Sequence, residues 1–273
     1  MRNCNYFRWI CVLLFSYGLT STAYSGSLEQ IITGEHRSAA NIARNQYRHP
    51  VETLRFFEVE PHMTVVEIWP GRGWYTEVIA PYLKGKGTFY GAHFSPRQTK
   101  PFYKNMRANY QDRLAENPKI YGNAKVTGLY PPFNDGNAAP DNSADRVLTF
   151  RNVHNWSKGG FDQAMFRVFY RILKPGGILG VVEHRAAPAT KFKDMISSGY
   201  MTEAYVVQLA ENAGFELVAK SEINANAKDL KNYPNGVWSL PPTLRGKDKR
   251  RPEYLQIGES DRMTLKFIKP KTE

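Results

Sequence analysis

The stretch "VVEIWPGRGWYT", Val65 to Thr76, sets the fold class. It opens as a short β-branched apolar run, the pattern of a strand covered on both faces. It then passes an acid, Glu67, and enters a turn containing Gly71 and Gly73 before a helical segment. In open parallel sheets, ligands bind beyond the carboxyl ends of the strands, close to the switch point. The amides that start the following helix attract negative groups. A phosphate-cradling loop would need Gly-Lys-Ser/Thr at its end, and none follows. A nicotinamide loop would need a third glycine where Thr76 stands.

The surrounding pattern repeats strand and helix. "TVVEI", "GTFYGAHF", "AKVTGL", "DRVLTF", "ILGVVEH" and "FELVAKSEI" read as successive strands. The helix between the fourth and fifth, "GGFDQAMFRVFYRILKPGG", has an apolar stripe on Phe161, Met165 and Ile172, with Pro175-Gly176-Gly177 as its stop. Ser38 and Pro50 start helices of a lead-in that precedes the sheet, and Thr202 caps a later helix closed by Gly214. A last strand, "RMTLKFIKP", follows a long polar connection without a clear crossover helix, which predicts that it runs antiparallel. Alternation of this kind predicts an α/β fold: a Rossmann-like, seven-stranded, mostly parallel sheet with an antiparallel last strand and helices on both faces.

In 273 residues, 42% hydrophobic and 23% charged, a globular core is feasible and wholesale disorder is excluded. The net charge of +12 favours anionic partners without choosing among them. The aromatics are not interleaved with basic residues as in a nucleic-acid module, so no specific nucleic acid is expected. The basic run Arg245 to Arg251 reads as a solvated loop, or as a contact for an anionic surface.

The N-terminus has Arg2 and Arg8, an apolar run from Trp9 to Leu19 and the small-residue segment "TSTAYSG". That is the three-part pattern of a signal peptide over residues 1–25, cleaved after Ala23 or Ser25. The run is short for a membrane span of about 20 residues, and an uncleaved anchor is the alternative. The expectation is a periplasmic or secreted single domain over residues 26–273. Both cysteines, Cys4 and Cys11, lie in the leader, so the mature chain would carry no disulfide or zinc-thiolate site.

Taken in order, these motifs resemble the class I S-adenosylmethionine-dependent methyltransferases over roughly residues 61–270. "VVEIWPGRGWYT" is similar to their first motif, and "GTFYGAHFSP" to their second strand. "ADRVLTFRNVHNW" resembles their fourth-strand motif. "RVFYRILKPGGILGVVEH", with its Leu-Lys-Pro-Gly-Gly turn, is the most specific match. The resemblance implies S-adenosylmethionine as cofactor and methyl transfer to an acceptor the sequence does not name. It implies that Glu67 orients the amino-acid end of the cofactor, that Gly71 and Gly73 pass beneath it, and that Arg151 and Asn152 lie beside its methionine portion.

The departures fall at the cofactor. Trp69 replaces the first glycine of the motif, either to stack on a ligand or to fill its space. His93 stands where an acid would accept both ribose hydroxyls, and Gly128 where an acid often meets adenine. A neutral imidazole accepts only one hydrogen bond. His154, after the fourth strand, is the candidate catalytic base, with a structural histidine as the alternative. Glu183 and His184 end the fifth strand, with one expected in the cleft. Their spacing fits no zinc signature, and no metal is expected. Trp238 is a candidate for the substrate entrance, with a packing role as the equal alternative. Two other readings stay open: a non-catalytic binding protein on a degenerate methyltransferase fold, and a hydrolase or metal-dependent enzyme using the same cleft.

Overall fold

A computed structural model describes Met1 and residues 26–130, 138–246 and 249–271. The expected signal peptide lies almost wholly outside the described residues, as do residues 131–137 of the loop between the third and fourth strands. Among the described residues no helix is long and apolar enough to cross a membrane.

Among the described residues seven strands form one sheet: β1 (Thr64–Ile68), β2 (Thr88–His93), β3 (Lys125–Gly128), β4 (Ala144–Phe150), β5 (Leu173–His184), β6 (Glu216–Ser221) and β7 (Arg262–Ile268). Their order is β3-β2-β1-β4-β5-β7-β6. The first five pair in parallel, and β7 runs antiparallel to both neighbours. The order reverses between β1 and β4, so these two strands flank the switch point where such sheets bind ligands.

Side-chain alternation divides β1 between two cores. Val66 and Ile68 face a layer that includes Phe166, Phe169 and Leu209. Val65 faces the other layer, with Leu54, Val78 and Ile79. Glu67 shares the face of Val65, so its carboxylate points at the helix Thr76–Leu83. On that helix the Thr76 hydroxyl meets it.

The expected elements occur, and further helices join them: Phe192–Ser198 after β5, and Arg251–Ile257 in the polar connection before β7, where no clear helix was expected. Pairing of β5 begins at Leu173, five residues before the expected start, with an irregularity opposite Ala144 and Arg146. Pro175-Gly176-Gly177 therefore lies inside the strand span rather than before it. A helix at Val153–Gly159, absent from the sequence reading, follows β4 directly.

Candidate functional site

Both strands at the switch point end in a non-glycine residue with left-handed backbone: Trp69 after β1 (φ 46°) and Arg151 after β4 (φ 62°). Each such residue costs about 1–3 kcal/mol and persists only where surrounding contacts fix it. At Trp69 the left-handed turn explains why the resembling motif has glycine there. It also redirects the side chain onto the face of Val66 and Ile68.

The Trp69 indole lies in an aromatic slot beyond the ends of the strands. It stacks on Tyr130 (5.8 Å between centroids, 11° between planes) and meets Phe94, Trp156 and Phe161 at edges or tilts. Its Nε1–H donates to the carbonyl oxygen of Leu129 at 2.8 Å. Phe94 follows β2 and Leu129 follows β3, so the ring covers the region where the resemblance places a nucleoside. The indole itself is a flat bicycle with a hydrogen-bond donor.

His93 is fully buried. The Phe94 N–H donates to its Nδ1 at 2.8 Å, so the ring proton sits on Nε2, which donates to the Gly71 carbonyl at 3.1 Å. Both ring nitrogens are thus committed to the backbone, and none remains for a ribose hydroxyl. Burial pulls the pKa of His93 down to about 4, keeping it neutral.

Glu67 is equally committed. Its Oε2 accepts from the Thr76 hydroxyl at 2.6 Å, and the Tyr110 hydroxyl lies 3.1 Å from Thr76 Oγ1. Burial raises its pKa to about 7. Gly73 (φ 76°) serves packing: a Cβ there would meet Tyr110 at 2.9 Å. Gly128 packs on Pro96 and Ser95. Asn152 spends its amide protons on the Ile68 carbonyl (3.0 Å) and Thr149 Oγ1 (3.3 Å), with the Trp69 carbonyl at 3.4 Å. Gly71 alone of the expected cofactor contacts has open space around it. The residues present therefore do not fit S-adenosylmethionine in the expected seat: the slot holds an indole, and the ribose acceptor is used up.

Open space lies instead beside the slot, beyond β4 and β5. A cavity of about 310 Å³ is lined by Trp69, Gly71, Asn152, His154, His184 and Trp238. The lead-in contributes Arg44 and Arg48, and the last connection contributes Glu259 and Ser260. Four arginines (Arg44, Arg48, Arg72 and Arg151) face it against one carboxylate, Glu259.

His154 is oriented within this cleft by Glu183, which is fully buried at the end of β5. Glu183 Oε1 lies 2.9 Å from His154 Nδ1 and accepts from the His184 N–H at 2.8 Å. Oε2 accepts from the N–H groups of Val153 (2.6 Å) and His154 (3.4 Å). The Glu183 side chain thus caps the helix Val153–Gly159 and, accepting from His154, sets its tautomer: Nδ1 donates, and Nε2 keeps its lone pair. His184 Nδ1 lies 2.6 Å from Ser260 Oγ, and burial with the nearby His154 and arginines drives its pKa well down. His154, Glu183 and His184 also have the composition of a metal site, with ligand atoms within 4.8 Å of one another. Both Glu183 oxygens are already occupied by N–H donors, and the surrounding arginines oppose a cation.

The structure thus brings Trp69, Gly71, Asn152 and His154 to the cleft and leaves Glu67, Gly73 and His93 behind it. Trp238, the expected entrance residue, packs 6.0 Å from the His154 ring. Arg44, Arg48 and Glu259 were not expected there. They come from the two ends of the domain, and only the tertiary fold unites them.

No protein-family model matches the chain, and no curated protein matches it in sequence. Among solved structures it is similar to the [4+2]-cyclase SpnF (TM-score 0.57, 17% identity, 88% of this chain and 86% of that one). It is also similar to a SAM-dependent methyltransferase from Aquifex aeolicus (TM-score 0.53, 17% identity, 73% and 94%). A third is phosphoethanolamine N-methyltransferase 2 of Haemonchus contortus, solved with S-adenosyl-L-methionine (TM-score 0.53, 12% identity, 90% and 60%). The fold is the Rossmann-like fold of the S-adenosylmethionine-dependent methyltransferases, and at these identities the likeness extends to the fold alone.

Proposed function

We propose that this protein is an enzyme on a methyltransferase fold whose working site is the cleft beyond β4 and β5, with the nucleoside seat filled by Trp69. His154, held by Glu183, is its general base, and Glu183 is a positioning residue. The observation that carries the reading is the closed seat: the Trp69 indole bonded to Leu129, beside a His93 with both nitrogens engaged. Fold does not dictate chemistry, and SpnF, named a cyclase, has the same fold. A neutral imidazole with a buried carboxylate behind it can take a proton from a ligand at Nε2.

A seat without cofactor also suits the signal-peptide reading of the N-terminus, because S-adenosylmethionine is made in the cytoplasm. Export is part of the proposal. It predicts a mature N-terminus near Tyr24 or Gly26, and detection of intact Met1 in the mature protein would contradict it.

Methyl transfer from S-adenosylmethionine is the second reading, favoured by the order of the motifs and the strand order. It requires Trp69 to leave its slot. Titration calorimetry of the full chain with S-adenosylmethionine and S-adenosylhomocysteine separates the two. The first reading expects no saturable heat at about 1 mM, which corresponds to binding weaker than about 4 kcal/mol. Saturable binding of either compound would replace it with the second.

A further inference from the structure

The arginines of the cleft have more donors than the protein satisfies. Arg48 is 1% exposed and comes from the short helical turn Asn45–Arg48. Its Nε donates to Glu259 (2.9 Å to Oε2, 3.2 Å to Oε1). Among the described residues its Nη1 and Nη2, both buried, have no hydrogen-bond partner, nor does the buried Nη2 of Arg44. Arg44 Nε also donates to Glu259, at 2.6 Å. Arg262 approaches the same carboxylate from behind, at 3.2 Å. One carboxylate is therefore shared by three guanidiniums, while Arg151 and Arg72 add further charge to the cavity wall.

Buried donors without partners cost about 1–3 kcal/mol each, and more when charged. A structural ion pair has no need of that cost. Arg48 is also fixed in orientation, because its guanidinium lies over the Trp74 ring at 4.7 Å from the centroid. A planar fork held over an aromatic face, with its end donors free, is prepared for a bidentate oxyanion. The excess of positive charge suits a dianion better than a monoanion. The cavity, about 310 Å³, is at the low end of ligand pockets, roughly 300–1,000 Å³, so the ligand is small.

We infer that this cleft binds a small ligand through a doubly charged oxyanion group, a phosphate or a pair of carboxylates, received by the free Nη donors of Arg48 and Arg44. The inference rests on the cleft being the working site, and it names the class of ligand that site takes. The oxyanion is an anchor: it places the remainder of the ligand toward His154 and Trp238, which line the same cavity.

The test is titration calorimetry and thermal unfolding of the full chain with inorganic phosphate and with oxalate, against sodium chloride at matched ionic strength. The expected result is one saturable oxyanion per chain with millimolar or tighter Kd. Phosphate binding tighter than oxalate assigns a phosphate-bearing ligand, and the reverse assigns a dicarboxylate. Arg48→Met, which keeps an unbranched side chain and removes the guanidinium, and Arg44→Gln, at a partly exposed position, should each raise Kd at least tenfold while unfolding cooperatively. Lys158→Gln, on an exposed position, should leave Kd unchanged. The inference fails if neither oxyanion binds, if chloride reproduces the stabilisation, or if both arginine variants bind as the parent does. Binding of S-adenosylhomocysteine would overturn the filled-seat reading without touching this result. Loss of oxyanion binding would overturn this inference while the Trp69 seat stays closed.

Discussion

The indole N–H of Trp69 and the carbonyl oxygen of Leu129, sixty residues apart in sequence, are joined by a 2.8 Å hydrogen bond across the ends of β1, β2 and β3. The bond fixes the ring in the crevice where the resemblance places a nucleoside.

Removing that bond alone should be measurable. Trp69→Phe keeps much of the aromatic packing and leaves the Leu129 carbonyl unpaired, at a cost of about 1–3 kcal/mol. Trp69→Gly relieves the left-handed backbone and empties the slot. The lost burial outweighs the relief, and the net cost should be about 2–4 kcal/mol. Urea unfolding of both variants checks the order; a glycine variant as stable as the parent would mean the ring is not a core element.

Proton positions follow from the backbone contacts. His93 should be the Nε2–H tautomer and stay neutral down to about pH 4, whereas His154 should be the Nδ1–H tautomer when neutral. Long-range nitrogen–proton NMR correlations distinguish the two forms. A His93 carrying its proton on Nδ1, or protonated at pH 6, would contradict the geometry of the seat.

Glu67 makes a prediction about pH. Its folded pKa, about 7, lies above the ordinary value of 4.5. Between these values the unfolded chain releases a proton that the folded chain retains, so this group's contribution to stability falls as pH rises from 4.5 to 7. Glu67→Gln preserves an acceptor for Thr76 and removes the titration. The variant should match the parent near pH 4 and exceed its stability by roughly 3 kcal/mol at pH 8. An equal difference at both pH values would show that the carboxyl is not held protonated. The parent's own profile is flatter, because His93, with its lowered pKa, contributes stability that rises over pH 4 to 6.5.

Glu259 behaves in the opposite sense. Burial alone would raise its pKa, but Arg48, Arg262, Arg151 and Arg44 outweigh burial and hold it down to about 2. Its contribution is fully present above pH 4.5 and is lost as pH falls toward 2. Glu259→Gln should cost about 3–5 kcal/mol at pH 7, since it leaves the arginines uncompensated, and much less near pH 2. Denaturant titrations at the two pH values are the check; a cost unchanged at pH 2 would exclude the ion cluster as its source.

Most of the sheet is legible in the sequence because its strands are short β-branched runs between helices with clear stops. The alternation of β1 already turns Glu67 to the side of Val65, away from a ligand, although the resemblance assigns it to the cofactor. The early start of β5 is hidden because Leu173 pairs with Ala144 before the irregular segment through Pro175-Gly176-Gly177. The helix Val153–Gly159 is two turns long with an apolar pair only at Val153 and Trp156, and its first amides are capped by Glu183 from the next strand. Trp69 is visible as a departure, and the sequence leaves open whether it greets a ligand or replaces one. Arg44 and Arg48 read as part of a helical lead-in, since no local spacing ties them to Glu259, more than two hundred residues away.

The proposed chemistry depends on Trp69 occupying the nucleoside seat. A crystal structure of the full chain grown with S-adenosylhomocysteine at millimolar concentration tests it most directly. The expected result is the indole in its slot, with Nε1 about 2.8 Å from the Leu129 oxygen and no nucleoside beside it. An adenine ring between Phe94 and Leu129, with Trp69 displaced, would contradict it.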